Sequence, residues 1–579
     1  MTGAEFIAEV LKREGVRKVF GQCGHTNYAL IDALQRAGID FVSFRHEQMA
    51  AHAADGYFRT SHRLAVVLVH LSPGLTNALT GVATAAADHT PMLVISGNTP
   101  TYHHSRDAHQ QIRFHADASQ GDIYRPICKR VWRVDESAHL PDVMARALNI
   151  AQSGRPGAVL VDIPMDVFSR PVIVDVPDTA KRRLQHGYPS ADDGAAADAA
   201  RMLYAAERPV IFAGNGVHLA EAWGELRQLA ERLQIPVATS LMGKGAFPED
   251  HPLALGVTGI WGTRVANETT READVILAVG TGFAEADCSS WNPGYTFAIP
   301  PARLIQIDVD PQEIGKIYPV ELDMVADARR ALAQILASAE ALPERRTGAD
   351  RQLEKVRERK NRWLNELAEV QSDAGVPIHP ARVLRALNES LPEDAIVVTD
   401  VGWNKNGAGQ QLMARRPLSY ITSGGLATMG FSPAAAIGAK LGSPDRTVVC
   451  LVGDGGLTSV LGALATAVEL EVAVVWVLFN NYCFSTISCM GQGYFGNRYG
   501  TEFRRPDGTP YNPDFQLLAK AFGIDGYLVT EPDQLVPVMA QAVSAGRAAL
   551  VEVRTRGDVP MPRTGYWDIA DIFAADVPA

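Results

Sequence analysis

Val448-Val449-Cys450-Leu451-Val452-Gly453-Asp454-Gly455-Gly456-Leu457 runs from a strand-sized apolar segment into an acid flanked by glycines. The chain continues through Leu461–Leu470 (LGALATAVEL), alanine-rich with a helical period, and then Val472–Phe479 (VAVVWVLF), which ends in Asn480-Asn481. This is one βαβ unit, with Asp454 closing its first strand and Asn481 its second, 27 residues on. In an open parallel sheet, ligands bind at the carboxyl ends of the strands. Asp454 and Asn481 then offer two oxygen ligands to one crevice, the donor type that a hard ion such as Mg²⁺ takes together with phosphate oxygens. The glycines let backbone N–H groups approach a phosphate at the helix start. Taken singly, Gly-Asp-Gly is a turn and Asn-Asn a strand end; their spacing between two strands is what points to a metal and phosphate site.

The same alternation extends outward. Apolar runs at Lys18–Phe20, Leu64–Val69, Met92–Ser96, Ala158–Asp162, Val210–Ala213, Val275–Val279, Leu304–Ile307, Ala395–Thr399 and Ala549–Val553 are separated by amphipathic stretches such as Tyr28–Gln35 and Leu75–Ala87. Strands alternating with helices read as parallel sheets. Runs this apolar are buried on both faces. The fold class is therefore α/β, with three doubly wound parallel-sheet domains near 1–175, 190–340 and 375–555. A Pro- and Asp/Ala-rich linker covers 171–200, and a charged helical stretch covers 340–378. The tail at 556–579 (RGDVPMPRTGYWDIADIF and beyond) is a lid or a docking strap.

Composition bounds the function. In 579 residues, 54 Lys and Arg against 65 Asp and Glu leave a net charge of −11. A nucleic-acid binder would show a basic face, so no nucleic-acid partner is expected. Six cysteines, at 23, 128, 288, 450, 483 and 489, contain no Cys-x-x-Cys pair. They fit a reduced, cytoplasmic setting and neither a disulfide scaffold nor a zinc site. The N-terminal MTGAEFIAEVLKREG is an amphipathic helix and not a signal peptide. No apolar run approaches the roughly 20 residues of a membrane helix, so no membrane partner is expected.

The Gly-Asp-Gly and Asn-Asn pair resembles the thiamine-diphosphate signature. FRHEQMAAHAADGYFR, SPGLTNALTGVATAAADHTPMLVISG, GKGAFPEDHPLALG, IQIDVDPQEIGK, TDVG and GGLATMGFSPAAAIGA extend the likeness nearly end to end. The chain resembles the acetolactate synthase (acetohydroxyacid synthase) large-subunit branch of the thiamine-diphosphate decarboxylases and carboligases. The resemblance implies pyrimidine-binding, central and diphosphate-binding domains. It also implies a homodimer or homotetramer whose active sites lie at the interface, the glutamate coming from one protomer and the diphosphate site from another.

The resemblance also assigns residues. Glu47 matches the glutamate that activates the cofactor through the aminopyrimidine nitrogen N1′; on position alone it is equally a helix-start acid favoured by the dipole. Pro73 and Asn77 fall in a matching cofactor segment. Met429 matches the bulky residue that props the cofactor into a V, although a gap-filling core methionine is the commoner case. The Ala427 carbonyl would accept the 4′-amino group. Gly402, Trp403, Asn404, Gly453, Gly455, Gly456 and Phe484 would lie along the diphosphate. The Cys483 carbonyl is the third metal ligand beside Asp454 and Asn481. Gln110 matches an active-site glutamine, with His109 where the family usually has Phe. His25 and His70 stand at carboxyl ends of first-domain strands. A lone histidine is more often structural, but one of near-neutral pKa can move protons on a substrate hydroxyl.

Two departures stand out. Gly282, in Val279-Gly280-Thr281-Gly282-Phe283, replaces the synthases' Arg that holds the acceptor carboxylate, so a bidentate clamp is missing. After Asn-Asn the chain reads Tyr482-Cys483-Phe484-Ser485, and no Trp follows to shape an acceptor pocket. Two-pyruvate condensation is then not the expected main reaction. Ala213-Gly214-Asn215-Gly216 and Asp308 fit a degraded dinucleotide fold, where relatives place FAD, ADP or a CoA nucleotide; a structural turn is the preferred reading of one Gly-x-Gly. The function expected is a carbon–carbon lyase or carboligase acting on a 2-oxo acid or 2-hydroxy carbonyl, a small-molecule carbonyl substrate, through an enamine carbanion. The alternatives are a 2-hydroxyacyl-CoA lyase or acyl-CoA decarboxylase, and a catalytically silent relative.

Overall fold

The structure, a computed structural model, describes residues 1–579 apart from 105, 113–118, 174–175, 177–187, 344–345 and 570–579. Most of the expected linker core and the end of the tail lie outside the described residues.

Three parallel six-stranded sheets carry the fold. The first holds β1 (Lys18–Gly21), β2 (Asp40–Ser43), β3 (Ala65–His70), β4 (Met92–Asn98), β5 (Arg130–Arg133) and β6 (Ala158–Pro164), in the order β2-β1-β3-β4-β6-β5. The second holds β7 (Pro209–Ala213), β8 (Val237–Thr239), β9 (Ala254–Val257), β10 (Val275–Val279), β11 (Arg303–Asp308) and β12 (Leu322–Val325), in the order β12-β11-β10-β7-β8-β9. The third holds β13 (Ile396–Thr399), β14 (Tyr420–Thr422), β15 (Val448–Gly453), β16 (Val474–Asn480), β17 (Asp525–Val529) and β18 (Ala549–Arg554), in the order β14-β13-β15-β16-β18-β17. Interior strands such as β4, β6, β10 and β16 are buried along their whole length. That explains their unbroken Val/Ile/Leu runs.

By compactness the described chain forms two units. One comprises Met1–Gly187, Ser423–Cys450 and Gly456–Val474; the other comprises Tyr188–Thr422, Leu451–Gly455 and Val475–Ala579. In the first unit, the helix Glu47–Ser61 packs on the helix Phe431–Gly442 through small residues. A Cβ added to Gly56 would fall well inside 3.0 Å of the Ala435 carbonyl, and one on Gly438 would do the same to Ala53. Only glycine permits that approach. The N-terminal helix Gly3–Arg13 starts on a Thr2/Glu5 capping box, as its sequence suggests.

In the second unit, the tail runs from Ile378, which accepts from Arg556 N at 3.0 Å, past Trp403, which donates to Pro560 O at 3.1 Å, to the central segment. Thr564 N and Gly565 N donate to Ile260 O, at 3.1 and 3.0 Å. Trp567 meets Trp261 edge-on at 5.5 Å, and Tyr566 stacks on Tyr295 at 5.1 Å. Residues 570–579 lie outside the described residues. Among the described residues, no helix is long and apolar enough to cross a membrane.

Candidate functional site

Glu47 is the first residue of the helix Glu47–Ser61, and the His46 ring caps it by accepting from Gln48 N at 3.3 Å. The Glu47 side chain is buried. Asn77, on the helix Leu71–Ala87, donates through Nδ2 to Glu47 Oε2 at 3.0 Å. With its amide turned to donate, Gln22 lies 2.5 Å from Oε1. Two neutral amides thus hold a carboxyl in a dry place without neutralising it. This suits an acid that must share a proton with a ring nitrogen, and it fits the cofactor implied. Gly74 faces the same carboxyl, its added Cβ lying 3.3 Å from Glu47 Oε1. Gln22 carried no sequence signal; Asn77 did. Pro73 is exposed on the first turn of its helix.

His70 ends β3, and the chain turns sharply there, with Leu71 at φ 53°. His25 follows β1, and the two imidazoles meet edge-on at 4.7 Å. His70 Nε2 lies 3.2 Å from Gln110 Oε1, and Nδ1 lies 2.8 Å from Thr26 Oγ1. The structure therefore brings three predicted residues together and adds Thr26, whose only signal was a hydroxyl beside a histidine. A carbonyl oxygen cannot donate, so with Gln110 in this orientation Nε2 carries the proton and Nδ1 accepts from Thr26. Burial holds the His70 imidazole below its ordinary range; the Gln110 bond opposes this and neighbouring His25 reinforces it. His70 is thus neutral near pH 7.

The segment Ser423–Gly430 is tightly tied. Asp88 accepts from Gly424 N at 3.1 Å and from Gly425 N at 2.6 Å, and Arg59 holds the same carboxylate at 2.7 Å. Thr84 Oγ1 meets Thr428 Oγ1 at 2.8 Å. Ala427 sits at φ 51°, and Met429 stands 40% exposed. Met429 is therefore not buried in the core. Asp88 is a positioning residue that the sequence reading missed.

Asp454 closes the turn after β15. Its Oδ2 accepts from Tyr482 N at 2.7 Å, Asn481 N at 3.2 Å and Asn512 Nδ2 at 2.9 Å; Oδ1 accepts from Gly455 N at 2.9 Å. Burial pushes this carboxyl up to about 6 despite those donors. Asn481 Oδ1 accepts from Cys483 N at 3.2 Å, so a side-chain turn brings Cys483 beside the two ligand residues. Carboxylate, amide oxygen and backbone carbonyl form a hard-ion donor set, and the residues fit Mg²⁺. Asn512, 58 residues beyond Asp454, joins only through the fold.

The neighbouring groups are suited to a diphosphate. Gly402 stands at φ 120° before the helix Trp403–Gln411. Gly453 faces open space. A Cβ on Gly455 would lie 2.5 Å from the Phe484 ring, which also packs edge-on against Phe503 at 4.9 Å. The Gly456 carbonyl accepts from Ser459 Oγ at 2.8 Å. Thr486 Oγ1 and Ser488 Oγ are buried without a hydrogen-bond partner among the described residues, at the start of the helix Ser485–Phe495. The side chains of Trp403 and Asn404 bond within the protein. Trp403 Nε1 donates to Pro560 O at 3.1 Å, and Asn404 Nδ2 donates to Asp400 O at 2.8 Å. Only their backbone amides remain for phosphate.

The central Gly-x-Gly runs from the end of β7 into the helix Asn215–Leu219. A Cβ on Gly214 or Gly216 would collide with the Gly280 backbone, so these glycines serve strand packing. Asp308 Oδ1 accepts from Asp310 N at 2.9 Å. The helix that follows, Asn215–Leu219, has five residues. Gly282 faces an acid: its added Cβ would lie 2.9 Å from Glu313 Oε2.

Comparison with known proteins agrees with this geometry. Three family models match: thiamine pyrophosphate enzyme, N-terminal TPP binding domain, at 1–119; central domain, at 196–335; and C-terminal TPP binding domain, at 400–553. A probable acetolactate synthase large subunit of Methanocaldococcus jannaschii is 35% identical over 575 residues, 96% of this chain and 92% of the relative. Acetolactate synthase isozyme 3 large subunit of Escherichia coli (strain K12) is 34% identical over 566 residues, covering 96% and 95%. An acetolactate synthase large subunit of Lactococcus lactis is 32% identical over 560 residues, covering 95% and 92%. None of these three names points to the acyl-CoA alternative.

Proposed function

The chain belongs to the thiamine pyrophosphate enzymes, as a carboligase of the acetolactate synthase type, and from that premise we propose that it transfers an acyl unit from a 2-oxo acid or 2-hydroxy carbonyl donor to an uncharged carbonyl acceptor. Thiamine diphosphate, when bound, would supply a nucleophilic carbon for the donor carbonyl and a cationic ring as the electron sink for bond cleavage. Glu47 shares its proton with the ring nitrogen, while Asn77 and Gln22 fix its carboxyl. Asp454, Asn481 and the Cys483 carbonyl hold Mg²⁺. Gly455, Gly456, Thr486 and the amides at 403–404 receive the diphosphate. The Ala427 carbonyl and the Met429 side chain orient the pyrimidine. Neutral His70 takes and returns a proton at Nδ1, relayed from the substrate hydroxyl by the Thr26 hydroxyl that donates to it, and the amide nitrogen of Gln110 orients the substrate hydroxyl. By analogy with the family, two protomers complete each site, in a dimer or a tetramer.

The observation that carries the reading is the buried Glu47 carboxyl held by Asn77 at the start of its helix. The acceptor class is supported by Gly282, which sits beside Glu313 where the synthases place a carboxylate-binding Arg. Lys316 already holds that Glu313 carboxylate at 3.1 Å, so what the glycine removes is the bidentate clamp on a second 2-oxo acid. The test supplies pyruvate alone, then pyruvate with aldehydes, and identifies the products by NMR. Mixed hydroxy ketones are the expected dominant product. Acetolactate as the main product from pyruvate alone overturns the acceptor reading. Absence of thiamine diphosphate from the native mass spectrum overturns the rest.

A further inference from the structure

We infer that Ser72, Gln120 and Asp162 form a buried positioning chain that sets the distance between His70 and Gln110. The inference deepens the proposed function and rests on its assignment of that pair to the substrate. Asp162, the fifth residue of β6, is 1% exposed, Gln120 2% and Ser72 0%. Three donors converge on Asp162: Ser96 Oγ at 2.6 Å, Asn98 Nδ2 at 2.6 Å and Gln120 Nε2 at 2.7 Å. Gln120 Nε2 also lies 3.2 Å from Gly97 O. Two acceptors therefore fix which end of the Gln120 amide faces Asp162, and its Oε1 must face the other way. There it accepts from Ser72 Oγ at 2.8 Å. Having spent its proton, the Ser72 hydroxyl can only accept on its remaining side, and it accepts from Ile112 N at 2.8 Å. Every bond in the chain has one allowed direction, so the carboxylate dictates the polarity as far as the Ile112 amide.

Ser72 lies two residues after His70, and Ile112 two residues after Gln110. One hydroxyl thus clamps the two segments two residues beyond the pair whose side chains meet at 3.2 Å. The clamp is needed because the second segment is not relaxed. Gln110 stands at φ 63° and Asp107 at φ 48°, conformations that non-glycine residues hold only when the surroundings impose them. The residues of the chain touch neither donor nor cofactor in this assignment; they act through the position of Gln110.

The test uses the holoenzyme and two variants, Ser72→Ala and the shape-preserving Asp162→Asn, with pyruvate as the donor probe. Three quantities are read: amide hydrogen exchange of the segment containing Ile112, KM against kcat for pyruvate, and the Kd of thiamine diphosphate. Loss of one net hydrogen bond gives roughly tenfold effects. Exchange at Ile112 should rise about tenfold and KM about tenfold, with kcat and the cofactor Kd changed by less than about threefold, and with Asp162→Asn following the same pattern more weakly. Unchanged exchange at Ile112 overturns the chain itself. An equal rise in KM and cofactor Kd overturns a positioning role in favour of general loosening. Faster exchange with an unaltered KM, and a His70→Asn variant equally unaltered, overturns the assignment of the pair to the substrate.

Discussion

At Glu47 the physical demand is narrow: a carboxyl, dry, within reach of neutral donors and free of a cation. Asn77 at 3.0 Å meets that demand without an ion pair. Glu47→Gln removes the shared proton at constant shape, and turnover should fall about 10²–10⁴-fold, the range of a lost acid–base group. Deuterium exchange at the cofactor's C2 should slow in step, which assigns the loss to activation and not to substrate binding. At His70 the consequence is a pH profile. Burial lowers the imidazole's proton affinity, so the neutral base persists to below the ordinary value of about 6.5. Wild-type kcat/KM should fall only as pH drops beneath that value, and His70→Asn should lose about 10²-fold together with this acid limb. A variant that keeps the limb would assign it elsewhere. These residues were legible because a strand end followed by His, Glu or Asp is a local pattern. Thr26, Gln22, Asn512 and Asp88 were not, since each acts on a residue it meets only in space.

Among the elements, legibility followed burial. The apolar runs named interior strands such as β4, β10 and β16, whose two faces are covered. The reading passed over the edge strands β5, β12 and β17, because their half-exposed residues interrupt the run: β17 alternates outward and inward, and β12 buries one residue of four. Three-residue strands such as β8 are too short to show a period. The helix pair Glu47–Ser61 and Phe431–Gly442 depends on glycines whose purpose appears only when the partner backbone is in place. Gly56→Ala puts a methyl against the Ala435 carbonyl and should cost about 1–3 kcal/mol, read as a lowered Tm. An unchanged Tm would mean that the two helices do not approach this closely in solution. The same contact bears on function, since the first helix begins at Glu47 and the second follows directly on Met429.

For the molecule as a whole, acid stability should depend on His52. It is wholly buried against Phe431, and burial pushes its imidazole down to about 4. The unfolded chain, with an imidazole near 6.5, takes the proton first, so between about 6.5 and 4 unfolding is favoured as pH falls. The contribution is complete above that window and lost below it, about 3 kcal/mol in all. Denaturant titrations from pH 7 to 4 should show this loss in the wild type and a smaller one in His52→Phe; parallel curves would place the sensitivity on another group. The chain by itself determined the parallel α/β class, the βαβ unit of Asp454 and Asn481 and the cofactor family, because these rest on apolar runs and short motifs that need no distant partner. Tertiary structure alone decided that Gln110 reaches His70, that Asp162 orders the bonds behind them, that the tail segment at Thr564 and Gly565 meets Ile260 and that the central glycines lie against the Gly280 backbone. Each of these joins segments tens to hundreds of residues apart, where hydrogen-bond direction and backbone clearance act and no periodicity records them.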